Sequence, residues 1–77
     1  MKQLTYRVLL TPEPEGGYTA SVPTLPGCIT YGENVDEAML MAKEAVELYI
    51  ESLAAHNEPI PDESNTLEYS ITLTATA

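Results

Sequence analysis

Between Gln3 and Thr11 apolar and polar positions alternate. Leu4, Tyr6, Val8 and Leu10 point one way; Thr5, Arg7 and Leu9 point the other. A period of two is that of a strand with one buried face. Pro12-Glu13-Pro14-Glu15-Gly16-Gly17 breaks it with two prolines and two glycines, which mark a turn. Tyr18 to Val22 alternates again, so the two runs predict a β-hairpin. Pro23-Thr24-Leu25-Pro26-Gly27 is a second breaker, and Pro26-Gly27 suits the central positions of a type II turn. Cys28 to Tyr31 then reads as a short third strand, at an edge, ended by Gly32.

A different period follows. Val35, Ala38, Met39, Ala42, Ala45, Val46, Tyr49, Ile50 and Leu53 recur at helical spacing. Asp36, Glu37, Lys43, Glu44, Glu47 and Glu51 take the other side. Asn34 can cap the N-terminus, and Glu37, three positions on, can reach back as in a capping box. The helix is expected from Val35 to His56, with Asn57 at C′ and Pro59 preventing continuation. Leu40, Met41 and Leu48 do not fit the main stripe. Leu40 lies among the acids.

After a polar loop at 60–65, Leu67, Tyr69, Ile71 and Leu73 alternate strictly with Glu68, Ser70, Thr72 and Thr74. This predicts a fourth strand. The expected fold is α+β, in the order β-β-β-α-β. A right-handed crossover places strand 4 beside strand 1, giving a four-stranded sheet in order 3-2-1-4 with one helix on one face. The other face, where Leu9 lies, has no helix to cover it and needs water tolerance or a partner.

With 77 residues the chain is a single domain, 1–77. A domain this small buries only about 60% of its unfolded surface, and one Cys allows no disulfide pair within the chain. A homo-oligomer, dimer or tetramer, is therefore expected, with Leu40, Met41 and Leu48 as its interface. No apolar run approaches the roughly 20 residues of a membrane helix. Met1 to Thr5 does not open a signal peptide. A lone Cys28 fits a reducing compartment, so the expected location is cytoplasmic.

Charge narrows the partners. The net charge is −9, which makes direct binding of nucleic acid by this chain alone unexpected and a basic protein the better partner. The charge is also uneven. Residues 1–32 sum to zero, whereas residues 33–63 carry nine acids against Lys43, a sum of −8.

No catalytic, cofactor or metal site is expected, and the chain is read as not an enzyme. One His and one Cys make no zinc set. His56, at a helix end, suits terminal carbonyls, and Cys28 suits a small buried hydrophobe. No phosphate-binding glycine loop is present. The element order matches the first half of a ribonuclease H-like fold, whose enzymes hold metal with carboxylates beginning on the first strand. Leu4 to Thr11 contains no acid, so the geometry is expected without the chemistry.

Several segments together resemble the HicB-like antitoxin family. They are Glu15-Gly16-Gly17-Tyr18, Val22-Pro23-Thr24-Leu25-Pro26-Gly27-Cys28, Thr30-Tyr31-Gly32-Glu33-Asn34, Glu37-Ala38 and Ile60-Pro61. Thr24 stands where Asp is common in the family, and Asn34 where Thr is common. The likeness covers nearly the whole chain and is to the N-terminal HicB-like domain. Many relatives add a C-terminal DNA-binding domain; the expectation here is the short form without one.

The resemblance implies an antitoxin of a type II toxin–antitoxin pair. Its partner would be a HicA-like toxin, a small basic protein that cleaves RNA. The surface expected to meet it comprises Tyr18, Leu25, Pro26, Gly27, Tyr31, Glu44, Glu47 and Glu51. Two plainer readings stand beside this one. An acidic helix face also keeps a small protein soluble, and the Leu25–Cys28 turn can be purely structural. A stand-alone interaction or structural protein of the same fold, with an unknown partner, is the alternative function.

Overall fold

The computed structural model describes residues 3–76. Met1, Lys2 and Ala77, which enter the reading of the two ends of the chain, lie outside the described residues. Strands β1 (Leu9–Pro12), β2 (Tyr18–Ser21) and β3 (Ile29–Gly32) precede one helix, α1 (Val35–Ala55). The strands form an antiparallel sheet in order β1-β2-β3. Leu10 opposes Ala20, which opposes Thr30.

The turns form as the prolines and glycines dictate. Gly17 has φ 79, and a Cβ there would meet the Tyr31 hydroxyl at 2.0 Å. Cys28 N–H donates to Leu25 C=O at 3.0 Å around Pro26-Gly27, with Gly27 at φ 81, the type II geometry. Val22 N–H closes the loop on Cys28 C=O at 3.0 Å.

Both ends of α1 are capped by local sequence. Asn34 Oδ1 accepts from Glu37 N–H at 2.8 Å. The Glu37 carboxylate reaches back to the N–H of Glu33 at 2.9 Å, one residue earlier than a standard capping box. At the other end Asn57 adopts φ 55. Its N–H donates to Ala54 C=O, and Glu58 N–H to Leu53 C=O, the paired bonds of a Schellman motif.

Small residues set how closely α1 lies on the sheet. Ala20, Ala38 and Ala42 form one buried cluster, flanked by Val8, Leu10 and Tyr18. A Cβ on Gly32 would sit 2.2 Å from Ala38 N, so the strand–helix approach there admits only glycine. A second cluster of Val22, Leu25 and Cys28 packs against Tyr6, Val8, Ala45, Val46, Tyr49 and Ile50. The opposite face of the sheet is open: Leu9, Ile29 and Tyr31 are exposed.

The expected fourth strand does not form, so neither the order β-β-β-α-β nor the sheet order 3-2-1-4 holds. The likeness to half of a ribonuclease H-like fold loses that strand too. Leu67, Tyr69, Ile71 and Leu73 are 77–85% exposed and make no ladder within the chain. The cause lies just upstream. Glu63 N–H donates to Thr5 C=O at 3.0 Å, and Thr66 N–H then turns back onto Glu63 C=O at 2.9 Å. The chain after the helix is thus held to the segment before β1 at Glu63, with Arg7 Nη1 also 3.9 Å from Glu68 Oε2, and forms no strand beyond it.

The first strand is also shorter than its pattern. Residues 3–8 carry the alternation, but their hydrogen bonds go to the loop at 62–63. Thr5 N–H donates to Asp62 Oδ1 and Arg7 N–H to Glu63 Oε1, both at 2.9 Å. Arg7 Nε meets Glu63 Oε2 at 2.7 Å. Glu63 is the one buried charged residue among those described, and its two bonds from Arg7 hold its carboxyl below the usual range, with the Thr24 hydroxyl contributing.

Candidate protein-binding surface

The outward face of α1 follows from its period. At 100° per residue, Leu40, Glu44, Leu48 and Glu51 fall in one stripe ~80° wide, flanked by Glu47 and Met41. All six side chains are exposed; Leu40 and Leu48 are 56% and 67% exposed. The stripe interleaves carboxylates with large apolar groups. That is the composition of a surface that can both attract a cation and bury area against it.

A second acidic feature lies across the sheet. Tyr31, on the open face, is half exposed, and its Oη donates to Gly16 C=O at 2.9 Å. Around it is a shallow hollow lined by Glu13, Glu15, Thr19 and Glu33. The Thr19 hydroxyl donates to Glu13 Oε1. Sequence reasoning passed over Glu13 and Glu15 because residues 1–32 sum to zero. The signal was register: Pro12 opposes Tyr18, and Tyr18 opposes Gly32, which puts Glu13, Glu15 and Glu33 at one end of the sheet.

The other residues expected at a partner surface sit elsewhere. Leu25 is 1% exposed and belongs to the core. Pro26 and Gly27 are exposed at the tip of their turn, where Tyr49 Oη donates to Pro26 C=O at 2.9 Å. Tyr18 is half-buried against Ala20, Ala38 and Ala42. The fold therefore groups Glu44, Glu47 and Glu51 on the helix, and separates them from Tyr31 by the thickness of the sheet.

The described residues contain no group of three or more His, Cys, Asp or Glu placed to hold a metal ion. His56 Nδ1 lies 2.8 Å from Ser52 C=O at the helix C-terminus. Cys28 is buried, and burial raises its thiol pKa. Among the described residues no helix is long and apolar enough to cross a membrane.

Comparison with known proteins places this geometry. The family model for the HicB-like antitoxin of bacterial toxin–antitoxin systems matches residues 6–74. A UPF0150 protein of Thermoplasma acidophilum is 48% identical over 58 residues, covering 75% of this chain and 84% of that protein. One from Synechocystis is 50% identical over 58 residues, covering 75% and 73%. Antitoxin HicB of Escherichia coli K12 is 40% identical over 70 residues, covering 88% of this chain and 51% of that one, so the chain spans about half of that relative. Such antitoxins are not generally enzymes, and their systems imply a toxin as partner. With a match over most of its length, the chain belongs to the HicB-like antitoxin family of bacterial toxin–antitoxin systems.

Proposed function

We propose that the chain acts in the cytoplasm as the antitoxin of a type II pair, binding and blocking a small basic HicA-like toxin that cleaves RNA. The observation that supports this reading is the outward face of α1, where Glu44, Glu47 and Glu51 stand exposed among Leu40 and Leu48. A carboxylate field of this kind steers a cationic protein and speeds its capture in a salt-dependent way. The apolar groups between the acids supply the area that then holds it. Pro26 and Gly27 at their exposed turn, and Tyr31 in its acidic hollow, are further contacts for a partner that wraps the domain. Tyr18 and Leu25 serve from beneath by fixing the strand and the turn.

The test is co-expression with the small basic open reading frame next to the gene, followed by affinity capture. The expected result is growth rescue and a stable complex, both lost on E44K/E47K/E51K. A stand-alone interaction protein of the same fold, with another partner, is the second reading. A neighbour of another kind, with no rescue, would decide for it.

A further inference from the structure

The face of the sheet turned away from α1 is uncovered, and its two ends differ in chemistry. Successive residues of a strand alternate between faces. Leu10 and Ala20 pack toward the helix, so Leu9, Thr11, Thr19, Ser21, Ile29 and Tyr31 face outward. Register sorts them into two rows. Leu9 opposes Ser21, which opposes Ile29; Thr11 opposes Thr19, which opposes Tyr31. The first row is apolar at both ends, with Ile29 64% and Leu9 43% exposed. The second row runs into the hollow of Glu13, Glu15 and Glu33. The rows lie about 7 Å apart along the strands.

The hollow is built before anything enters it. It holds about 660 Å³, room for a long side chain with its head group. A Cβ on Gly17 would meet Tyr31 Cζ at 2.4 Å, so the ring lies directly on the turn backbone, and its hydroxyl donates to Gly16 C=O. The Thr19 hydroxyl likewise holds the Glu13 carboxylate. Groups fixed in advance lower the ordering cost of binding. Glu33 joins the hollow to the helix. It lines the hollow and stands two residues before Val35, and the first turn of α1 carries Asp36 and Glu37. Carboxylates thus continue from the sheet face onto the outward stripe of α1.

We infer that the open sheet face grips the basic toxin of the antitoxin reading, on which the inference rests. An arginine or lysine of the toxin enters the hollow, and a large apolar side chain beside it covers Leu9 and Ile29. The carboxylates and the ring of Tyr31 suit a cation, and a guanidinium best, because it pairs with carboxylates and stacks on aromatic faces. The spacing of the two rows matches side chains two positions apart on an extended segment. Charge decides the occupant. A nucleic acid is repelled. A second copy of this chain is poor in cations, with three Lys plus Arg against twelve acids, and its Arg7 is already bonded to Glu63. A basic protein brings the missing sign.

The experiment measures, at fixed salt, the affinity of the full chain for the small basic protein encoded beside it. E15K/E33K and I29S probe the two halves of the seat, and E58K/E68K makes the same charge change elsewhere. All five side chains are exposed, so circular dichroism and the thermal midpoint should hold in every variant. E15K/E33K and I29S are each expected to weaken the complex roughly tenfold or more, and E58K/E68K by less than about threefold. Binding that tolerates either E15K/E33K or I29S, or that falls equally in E58K/E68K, overturns the inference and leaves the antitoxin reading standing. No binding and no growth rescue by the wild-type chain overturns both.

Discussion

The Glu63 carboxylate accepts hydrogen bonds from both the backbone N–H and the side chain of Arg7, a residue 56 positions earlier in the chain. These bonds, with the backbone bond from Glu63 to Thr5, tie the segment before β1 to the loop after α1. Removing the carboxylate strands the Arg7 N–H in a half-buried site. Glu63→Ala should cost about 2 kcal/mol of stability, measured by urea denaturation. An unchanged midpoint would show that the clamp is ornamental.

The same clamp sets an acid response. The folded-state pKa of Glu63 lies below its ordinary value of 4.5, first through the backbone bond from Arg7 and next through its side chain. A group with a depressed folded pKa contributes stability that is fully present above the unfolded value and lost as pH falls through the folded one. The wild-type protein should therefore lose stability as the pH drops below about 4.5. Glu63→Gln should flatten that limb, as read from thermal midpoints taken between neutral pH and pH 3.

Gly32 is held to glycine by space rather than by backbone angle. Because a Cβ would sit 2.2 Å from Ala38 N and 2.5 Å from its Cα, backbone must shift to admit one. Gly32→Ala is expected to cost about 1–3 kcal/mol and to lower Tm by roughly 4–8 °C for each kcal/mol in a domain of this size. Tm within a degree of wild type would mean that the helix slides freely on the sheet.

At the start of α1 a single side chain satisfies an otherwise orphaned donor, Asn34 Oδ1 on Glu37 N–H. Asn34→Ala should cost about 1 kcal/mol, and Asn34→Asp should restore most of it. The comparison is clean because Asn34 is exposed and loses no core contact.

Leu25 and Leu48 make a contrasting pair. Leu25 is 1% exposed and is the largest fully buried side chain among the described residues, whereas Leu48 is 67% exposed. Leu25→Ala should cost about 2–5 kcal/mol, enough to unfold a small domain on warming. Leu48→Ala should leave Tm within a few degrees. Calorimetry on the two variants checks both.

Much of the fold was legible because its signals are local. Asn34 and Glu37, three apart, announced the helix start; Asn57 and Pro59 announced its end. Pro26-Gly27 announced the turn that buries Leu25. The fourth strand was not legible, although Leu67, Tyr69, Ile71 and Leu73 alternate without fault. Periodicity reports how side chains are disposed along a segment, not whether an edge lies within reach, and Glu63 decides that by bonding at Thr5 and Arg7. Nothing local marks Glu63, one of several acids in a polar loop with a partner 56 residues away. Of the candidate surface, the helix acids were legible from their spacing. The hollow around Tyr31 was not, because it depends on which residues face each other across β2.

Cys28 is the chain's single thiol and lies 5% exposed between Val22 and Leu25 in the second core cluster. An alkylating reagent can reach it only when the 22–28 loop lifts away from α1. Under reagent in excess and fast reclosing, the labelling rate equals the intrinsic thiol rate multiplied by the open fraction. The molecule thus contains its own clock for local opening, readable by mass spectrometry without any added probe site.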